Sequence, residues 1–297
     1  MFTLFTYVVK TQSFETPNPM REKIVLLGST GIVGRAMREA LPSSCTILAP
    51  TRRELDLTNL DAVDDYFEQH TPTLIINAAG LARVHACEHN KELADTLNTS
   101  LPARLAQLST RLDALLVHFS CVDVYGDVLP RHGLTLCCEQ TPTDPRTHYA
   151  RSKLAGDWAI QAQAKDYLIF RLSGVYCNTD LTIKTEHDVL SLGAPTSVNY
   201  VATTVVRSLQ RIYRRVIRFH PGVYNFTAKG HADWNDFYRE LSVLRKNYRL
   251  LSSSPRLVEQ GSRISVEKLE NAFCIQVPTW QSQLKSEMHA PEQLSQA

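Results

Sequence analysis

The sequence lacks the features that mark several large classes of protein. Its seven cysteines are scattered and form no C-x-x-C pair, which favours reduced thiols in a cytoplasmic protein over a disulfide framework or a zinc site. No apolar run approaches the roughly 20 residues that a membrane-spanning helix needs. The formal net charge is only +2 over 297 residues, so bulk electrostatics give no reason to expect a nucleic-acid or membrane partner.

The first residues argue against a secretory signal, and the spacing of the histidines argues against a metal site. The opening stretch has no basic n-region and no small-residue cleavage site, so we interpret residues 1–20 as a disordered extension, or as sequence upstream of a start at Met20, and not as a secretory signal. The ten histidines form no ligand-spaced cluster. His85 and His89 are four residues apart but have no evident third ligand, so no metal is expected.

What the chain does contain is a regular alternation of short apolar runs with amphipathic stretches. Strand patterns cover 23–28, 46–50, 73–80, 114–120 and 167–176. Helical patterns cover 32–42, 60–70, 148–164 and 91–112, the last with an interruption near Pro102. This alternation predicts an α/β fold with a Rossmann-type doubly wound parallel sheet. Ligands bind such sheets at the carboxyl ends of the strands.

The regular alternation of strand and helix patterns ends after Val175, which predicts a smaller, interleaved C-terminal lobe packed over the sheet edge. We therefore divide the chain into an extension (1–20), a dinucleotide-binding domain (21–175) and a substrate-binding lobe (176–198 and 219–297), with 199–218 packing back on the main domain. Five arginines in this last stretch recur at helical spacing and are interpreted as a solvated face, with an anionic partner as the alternative: Arg207, Arg211, Arg214, Arg215 and Arg218.

A glycine-rich turn joins the first predicted strand to the first predicted helix. Gly28, Gly31 and Gly34 permit a tight turn, close approach of a pyrophosphate and close helix–sheet packing. The helix N-terminus adds free N–H groups and the positive end of a dipole. The pattern predicts a dinucleotide site that also includes Thr30, Ile32 and Val33, and the alternative is a purely structural turn.

The end of the second strand bears on which dinucleotide binds there. An acidic residue at this position would bond the ribose 2′-hydroxyl, whereas a nearby arginine can accommodate a 2′-phosphate. Arg52 and Arg53 therefore favour NADP over NAD, although NAD stays possible and both arginines could simply be solvated.

Tyr149 and Lys153 are one helical turn apart and share a face. Ketone reduction needs a hydride and a proton for the forming alkoxide. A free phenol has a pKa of about 10. We expect the ammonium of Lys153 and the positive nicotinamide ring to favour the phenolate of Tyr149, and Lys153 to bond the nicotinamide ribose. The predicted strand that ends in Ser120 and Cys121 strengthens this interpretation, since chance also produces Tyr-x-x-x-Lys.

Taken together, these motifs resemble an extended short-chain dehydrogenase/reductase, most of all its dTDP-4-dehydrorhamnose reductase branch. The similarity runs from about Lys23 to about Met288 with one gap. The supporting segments are LDLTN (55–59), IINAAG (75–80), the series Glu139, Pro145, Tyr149, Lys153 and Gly156, RLSGVY (171–176), GAPT (193–196), GVYNFTAKG (222–230) with Trp234, and SRISVEKL (262–269).

The resemblance implies further roles. Asp56 and Leu57 would border the adenine, Asn77, Ala78 and Ala79 would pass beneath the cofactor, and Ser120 would lie beside it. Asn98 would support the catalytic lysine through water. Ser173 and Tyr176 would lie near the substrate.

Several positions depart from the family pattern on the substrate side. Cys121 stands where the family carries Ser or Thr, and a thiol is a weak hydrogen-bond donor. Val122 replaces an aspartate, which argues against dehydration, and Asp123 occupies the glutamate position of the dehydratases. Other departures are His85 for aspartate, Gly174 for tryptophan, Val258 and Glu259 for an Arg-Pro pair, and a stretch from Tyr176 to Gly193 about ten residues shorter than the resemblance implies.

Three hypotheses follow. The first is an NADPH-dependent reductase of a 4-keto-6-deoxy nucleotide sugar, in which Tyr149 donates the proton and Cys121, Lys153 and Asn98 assist. The second is a dinucleotide-binding regulatory subunit with little catalysis, similar to the β subunit of methionine adenosyltransferase, which would act with an enzyme partner. The third is an epimerase or a reductase of another ketone. A homodimer is possible in each case.

Overall fold

The computed structural model describes residues 20–126, 136–177, 193–230, 232, 234–245 and 264–289. Three sequence predictions therefore lie wholly or mostly outside the described residues. They concern the extension over 1–19, the Val258–Glu259 pair and the shortened stretch between Tyr176 and Gly193.

The first part of the chain builds three strands and two helices close to where the pattern predicts them. They are β1 (Lys23–Leu27), α1 (Ile32–Ala40), β2 (Thr46–Leu48), α2 (Leu60–His70) and β3 (Leu74–Asn77). The α2 helix begins where the Asn59 side chain accepts the Ala62 N–H, and it ends at Thr71, whose backbone is left-handed.

The next helical stretch differs from the predicted single helix. It consists of α3 (Val84–His89), α4 (Lys91–Asp95), a π-helical turn (Thr96–Ser100) and α5 (Leu101–Arg111). The predicted interruption near Pro102 is present as this π-helical turn, while Pro102 itself lies inside the first turn of α5, where its missing N–H is tolerated. The irregularity falls one turn earlier. There the Leu101 N–H bonds Thr96 O, and Pro102 offers no N–H to the carbonyl of Asn98.

The middle of the chain carries β4 (Leu115–Cys121), a 3₁₀ turn (Val122–Tyr125), α6 (His148–Gln163), β5 (Tyr167–Leu172) and β6 (Val175–Tyr176). The single strand predicted over 167–176 is wrong, since the chain leaves the main sheet at Ser173 and Gly174. There the Ser173 hydroxyl donates to Ala194 O at 2.6 Å, and Gly174 O accepts the Thr196 N–H at 3.0 Å.

The remaining elements are β7 (Thr196–Ser197), α7 (Val198–Tyr213), β8 (Gly222–Phe226), α8 (Trp234–Leu244), α9 (Glu267–Phe273) and α10 (Trp280–His289). The predicted arginine face is too long, because α7 ends at Tyr213 and Arg215 has a left-handed backbone. Arg211 is also not simply solvated, since it donates to Phe273 O at 2.8 Å.

Six parallel strands form the main sheet in the order β2-β1-β3-β4-β5-β8. This confirms the predicted Rossmann-type fold. The β8 strand pairs with β5, so the range 219–297, which the sequence pattern assigns to the smaller lobe, contributes the last strand of the main sheet. The β6 and β7 strands form a separate two-stranded sheet.

Helices cover both faces of this sheet. On one face, Met37 of α1, Val205 of α7 and Phe273 of α9 share a core with the strands. On the other, Phe67 of α2 and Leu105 of α5 pack into a second core. A third cluster joins Tyr176, Phe237 and Trp280 of the smaller lobe. Among the helices within the described ranges, none combines the length and apolar character that a bilayer crossing requires.

Candidate active site

The glycine turn after β1 is pressed against the end of β3. Gly28 has a φ of +74°, and a Cβ on it would lie 2.5 Å from the Ala79 nitrogen. A Cβ on Gly34 would lie 2.0 Å from Gly28 O. Both positions therefore need glycine, as the sequence pattern predicts.

The N-terminus of α1 opens from this turn without a competing side chain. Gly31 is its N-cap residue, no side chain caps the helix, and its first turn contains no acidic residue. Unclaimed N–H groups at a helix N-terminus, with the positive end of the helix dipole, suit an anion such as a phosphate. The predicted contacts Thr30, Ile32 and Val33 lie in this turn and the first helical residues.

The end of β2 brings two arginines and one aspartate together. Arg52 and Arg53 are exposed in the turn that follows the strand. Asp56 accepts hydrogen bonds from the Thr58 N–H at 3.0 Å and the Thr58 hydroxyl at 2.8 Å, and these bonds lower its pKa, with a smaller contribution from Arg52. Leu57 packs against the second core.

The end of β3 forms the floor beside the glycine turn. The Ala78 N–H bonds Leu27 O at 3.0 Å, and the Asn77 side-chain oxygen accepts the Ala79 N–H at 3.1 Å. Asn77 is fully buried. The backbone of these residues therefore lies next to Gly28, where the resemblance implies a bound cofactor.

Tyr149 and Cys121 meet at the end of β4. Tyr149 lies in the first turn of α6, which begins where the Thr147 hydroxyl accepts the Ala150 N–H at 3.1 Å. Its ring packs against the buried cluster that contains Cys121, and the phenol and the thiol are close enough to affect each other's pKa. Burial raises the pKa of both groups, and nearby Asp123 raises both further. The expected lowering of the Tyr149 pKa by Lys153 and the positive nicotinamide ring stays a prediction for the complex with cofactor, since burial dominates in the free protein.

Lys153 lies one turn further along α6 and is almost fully buried. Its Nζ donates to Phe119 O at 2.7 Å and lies 3.3 Å from Nε2 of His118. Burial lowers the Lys153 pKa, although Cys121 and Asp157 act in the opposite direction. Sequence reasoning missed His118 and Asp157, since neither belongs to a spaced motif.

Asn98 lies at the centre of the π-helical turn and is fully buried. Its side chain accepts the Leu81 N–H at 2.9 Å and donates to Leu81 O and to the Ser152 hydroxyl, each at 3.0 Å. These bonds join the loop after β3 to α6. The amide thus bonds the residue before Lys153, and its bonds to Lys153 through water stay a prediction.

The predicted substrate residues are less open than the sequence suggests. Ser173 is buried and its hydroxyl already bonds Ala194 O and Thr196. Tyr176 is buried against Phe237 with ring centroids 4.6 Å apart, and its hydroxyl has no hydrogen-bond partner among the described residues. Asp123 is partly exposed and lies near Tyr149.

Ser120 precedes Cys121 on β4 and is buried. The rings of His85 and His89 stack with centroids 3.9 Å apart. Over the described part of the chain, no group of three or more His, Cys, Asp or Glu side chains could hold a metal ion.

Comparisons with known proteins agree on one family. The family model described as the RmlD substrate binding domain matches residues 22–292. The dTDP-4-dehydrorhamnose reductase of Shigella flexneri is 27% identical, and the match covers 88% of this chain and 95% of that protein. The enzyme of the same name from Escherichia coli K12 is also 27% identical with the same coverage.

A solved structure supports the same relationship. The dTDP-4-dehydrorhamnose reductase of Clostridium acetobutylicum superposes with a TM-score of 0.75 at 25% identity, over 90% of this chain and 98% of that one. A Bacillus anthracis protein of the same name, in complex with NADP, superposes with a TM-score of 0.72 at 21% identity and over the same shares, which supports the fold.

Proposed function

The chain belongs to the RmlD substrate binding domain family, and we propose that it is an NADPH-dependent reductase of a 4-keto-6-deoxy nucleotide sugar. The names of its relatives support the coarser class, an oxidoreductase that reduces the ketone of a sugar nucleotide. The preference for NADPH and the role of Tyr149 as proton donor are parts of the proposal.

The observation that carries the proposal is the position of Tyr149. Its phenol lies at the carboxyl end of the parallel sheet, beside Cys121, with Lys153 one turn away on the same helix. The glycine turn opens at the same edge. This combination supports hydride transfer and proton transfer at one place.

The residues present fit a dinucleotide. Gly28 and Gly34 hold a tight turn that has no room for a Cβ, and the N-terminus of α1 behind it is uncapped. Together the turn and the helix N-terminus form a cradle for the pyrophosphate. Arg52 and Arg53 would bind the 2′-phosphate, and Lys153 the nicotinamide ribose. When bound, NADPH supplies the hydride for the ring ketone.

Tyr149 is suited to donate the proton that the forming alkoxide requires. Burial raises its pKa well above the usual value for a phenol, so in the free protein the group is protonated, as a proton donor must be, but is a weaker acid than a free phenol. The Cys121 thiol would bond the substrate carbonyl, though more weakly than a hydroxyl. Asp123, which lies near Tyr149, would contact the same part of the substrate, and Asn98 would act by holding α6 in place.

The smaller lobe would supply the remaining walls of the substrate site. Its strand β6 follows directly from the end of β5, where the chain leaves the main sheet, and pairs with β7. Ser173 would then act by fixing this connection, and Tyr176 by filling the base of the lobe.

The test is an assay of NADPH absorbance with a dTDP-4-keto-6-deoxysugar. We expect wild-type protein to consume NADPH and Tyr149→Phe to be slower by about a hundredfold or more, since general acid catalysis contributes that much. Tyr66→Phe, on α2, is the matched control and should retain the wild-type rate. NADPH should also bind more tightly than NADH. No consumption by wild-type protein with NADPH bound would disprove the reductase.

One observation favours a second candidate. The Cys121 thiol is buried and its pKa is raised, so it is a weak donor where a strong one is expected. This suits a dinucleotide-binding subunit with little catalysis that regulates an enzyme partner. NADPH binding without consumption of any 4-keto sugar nucleotide would favour this candidate. Interconversion of two sugars without net NADPH consumption would instead indicate an epimerase.

A further inference from the structure

A buried imidazole lies between the floor of the site and Lys153. His118 is in the middle of β4 and is fully buried. It is paired in register with Asn77 of β3. A buried histidine normally finds a hydrogen-bond partner for both ring nitrogens, so the partners indicate which nitrogen carries the proton.

Asn77 determines the tautomer of His118. Its Nδ2 lies 3.1 Å from Nδ1 of the imidazole, while its Oδ1 accepts the Ala79 N–H at 3.1 Å. The backbone bond therefore fixes which end of the amide faces the ring. Because an amide NH₂ group only donates, Nδ1 must accept, and the neutral ring carries its proton on Nε2.

The Nε2 atom faces Lys153 at 3.3 Å, and the same Nζ lies 2.7 Å from Phe119 O. We propose that His118 is a positioning residue for Lys153, and that its Nε2–H holds Nζ against the Phe119 carbonyl. In this arrangement Lys153 is a neutral amine in the free protein, because an ammonium group has no lone pair to accept the imidazole N–H.

The groups that face Nζ come from three elements. They are Asp157 on α6, Cys121 on β4 and Cys87 on α3, and each raises the Lys153 pKa. Burial acts in the opposite direction and prevails. The net direction is a lowered Lys153 pKa, which is the direction that the hydrogen-bond geometry requires.

Asp157 does not provide Lys153 with a counter-ion of its own. Its Oδ2 accepts from Nε of Arg171 at 3.0 Å, and both side chains are buried. Arg171 thus already compensates the carboxylate charge, which leaves His118 and the Phe119 carbonyl as the direct partners of Nζ. The inference deepens the proposed function, in which Lys153 assists Tyr149.

The first test reads the tautomer in the intact wild-type protein. Long-range ¹H–¹⁵N NMR of histidine-labelled protein distinguishes the two ring nitrogens. We expect His118 to stay neutral from about pH 6 to 8 with its proton on Nε2, in line with the lowering of its pKa by burial. A proton on Nδ1, or an imidazolium in this range, would overturn the proposal.

The second test reads Lys153 itself by ¹³Cε NMR, with Lys153→Arg to assign the signal. His118→Leu removes the donor that stabilises the amine, so the Lys153 acid dissociation constant should fall by about tenfold, the effect of one hydrogen bond. Val117→Ala is the matched control, because Val117 is the buried neighbour on β4 in the opposite core. An unchanged constant in His118→Leu, or an equal change in the control, would contradict the proposal.

The reductase proposal and the His118 positioning proposal can be disproved independently of each other. Neither NMR measurement needs NADPH, a sugar nucleotide or turnover, and the wild-type tautomer test stands even if His118→Leu does not fold. An inactive protein with the expected tautomer would count against the reductase alone. An active protein with the opposite tautomer would count against the positioning role alone.

Discussion

At the scale of single residues, Cys121 determines how well the site can stabilise a carbonyl oxygen. Its thiol is buried beside the Tyr149 phenol, and burial raises its pKa, so the group stays protonated. It is then available to donate, but a sulfur–hydrogen donor is weak. The turnover rate should therefore depend more on the donor atom at position 121 than on the surrounding side chains.

We predict that Cys121→Ser raises turnover of a 4-keto sugar nucleotide by about a hundredfold, because one preorganised hydroxyl donor has an effect of that order. The measurement is kcat from NADPH absorbance. Cys137→Ser is the control, since Cys137 lies in the same buried cluster but its change should leave the rate unaltered. No turnover in either protein would favour the binding subunit.

Residue patterns predict only part of the site. Tyr149 and Lys153 can be recognised because they are close in sequence and share a helix face. His118 cannot, since it lies in an apolar strand and its partners Asn77 and Lys153 are 41 and 35 residues away. A buried polar side chain chosen by long-range pairing carries no local signal.

At the scale of elements, the N-terminus of α1 allows a separate test of dinucleotide binding. Gly31, its N-cap residue, has an ordinary φ of −76° and a Cβ there would meet nothing closer than 3.4 Å. Unlike Gly28 and Gly34, it therefore has room for a side chain. A charge can be introduced here without distorting the turn.

We predict that Gly31→Asp weakens NADPH binding by about tenfold or more, because a carboxylate would repel the pyrophosphate at close range. The free protein should melt at the same or a higher temperature, since aspartate is a favourable N-cap. Calorimetry and thermal melting measure the two effects. Gly31→Asn, similar in size but uncharged, is the control, and equal NADPH affinity in both variants would contradict the prediction.

Element boundaries show where local pattern is insufficient. The α2 helix is predicted to the residue from its helical spacing, and in the structure Asn59 caps it. The interruption near Pro102 is predicted, but its π-helical form is not, since that form also depends on close packing of Gly156, whose Cβ would lie 2.2 Å from Asn98 O. Tertiary contacts decide such local geometry.

At the scale of the whole molecule, a buried polar network joins elements that are distant in sequence. Arg171 of β5 bonds Asp157 of α6 and the Tyr125 hydroxyl, each at 3.0 Å. The Tyr125 hydroxyl in turn donates to Asn225 of β8 at 2.8 Å. The network therefore connects the Tyr149 helix to the last two strands of the sheet.

We predict that Asp157→Asn lowers the free energy of unfolding by about 3 kcal/mol, because it leaves the Arg171 charge buried without compensation. Chemical denaturation measures this. Asp113→Asn is the matched control, since Asp113 pairs with Lys165 at an exposed site and its loss should change stability little. Equal effects in the two variants would argue against a structural role for the network.

The overall fold could be predicted because alternating strands and helices leave few topologies. The position of β8 could not, since its partner β5 is separated from it by the whole of α7 and by parts of the smaller lobe. The NADPH preference, the proton donor and the cytoplasmic location stay predictions.

The late position of β8 has a consequence for biosynthesis. During translation, β5 emerges well before the strand that will cover its open edge, because Gly222–Phe226 follows it by some fifty residues. An unpaired edge strand is a template for association with other chains. Nascent or truncated chains that stop near residue 175 should therefore depend on chaperones or aggregate, whereas chains that extend past β8 should not.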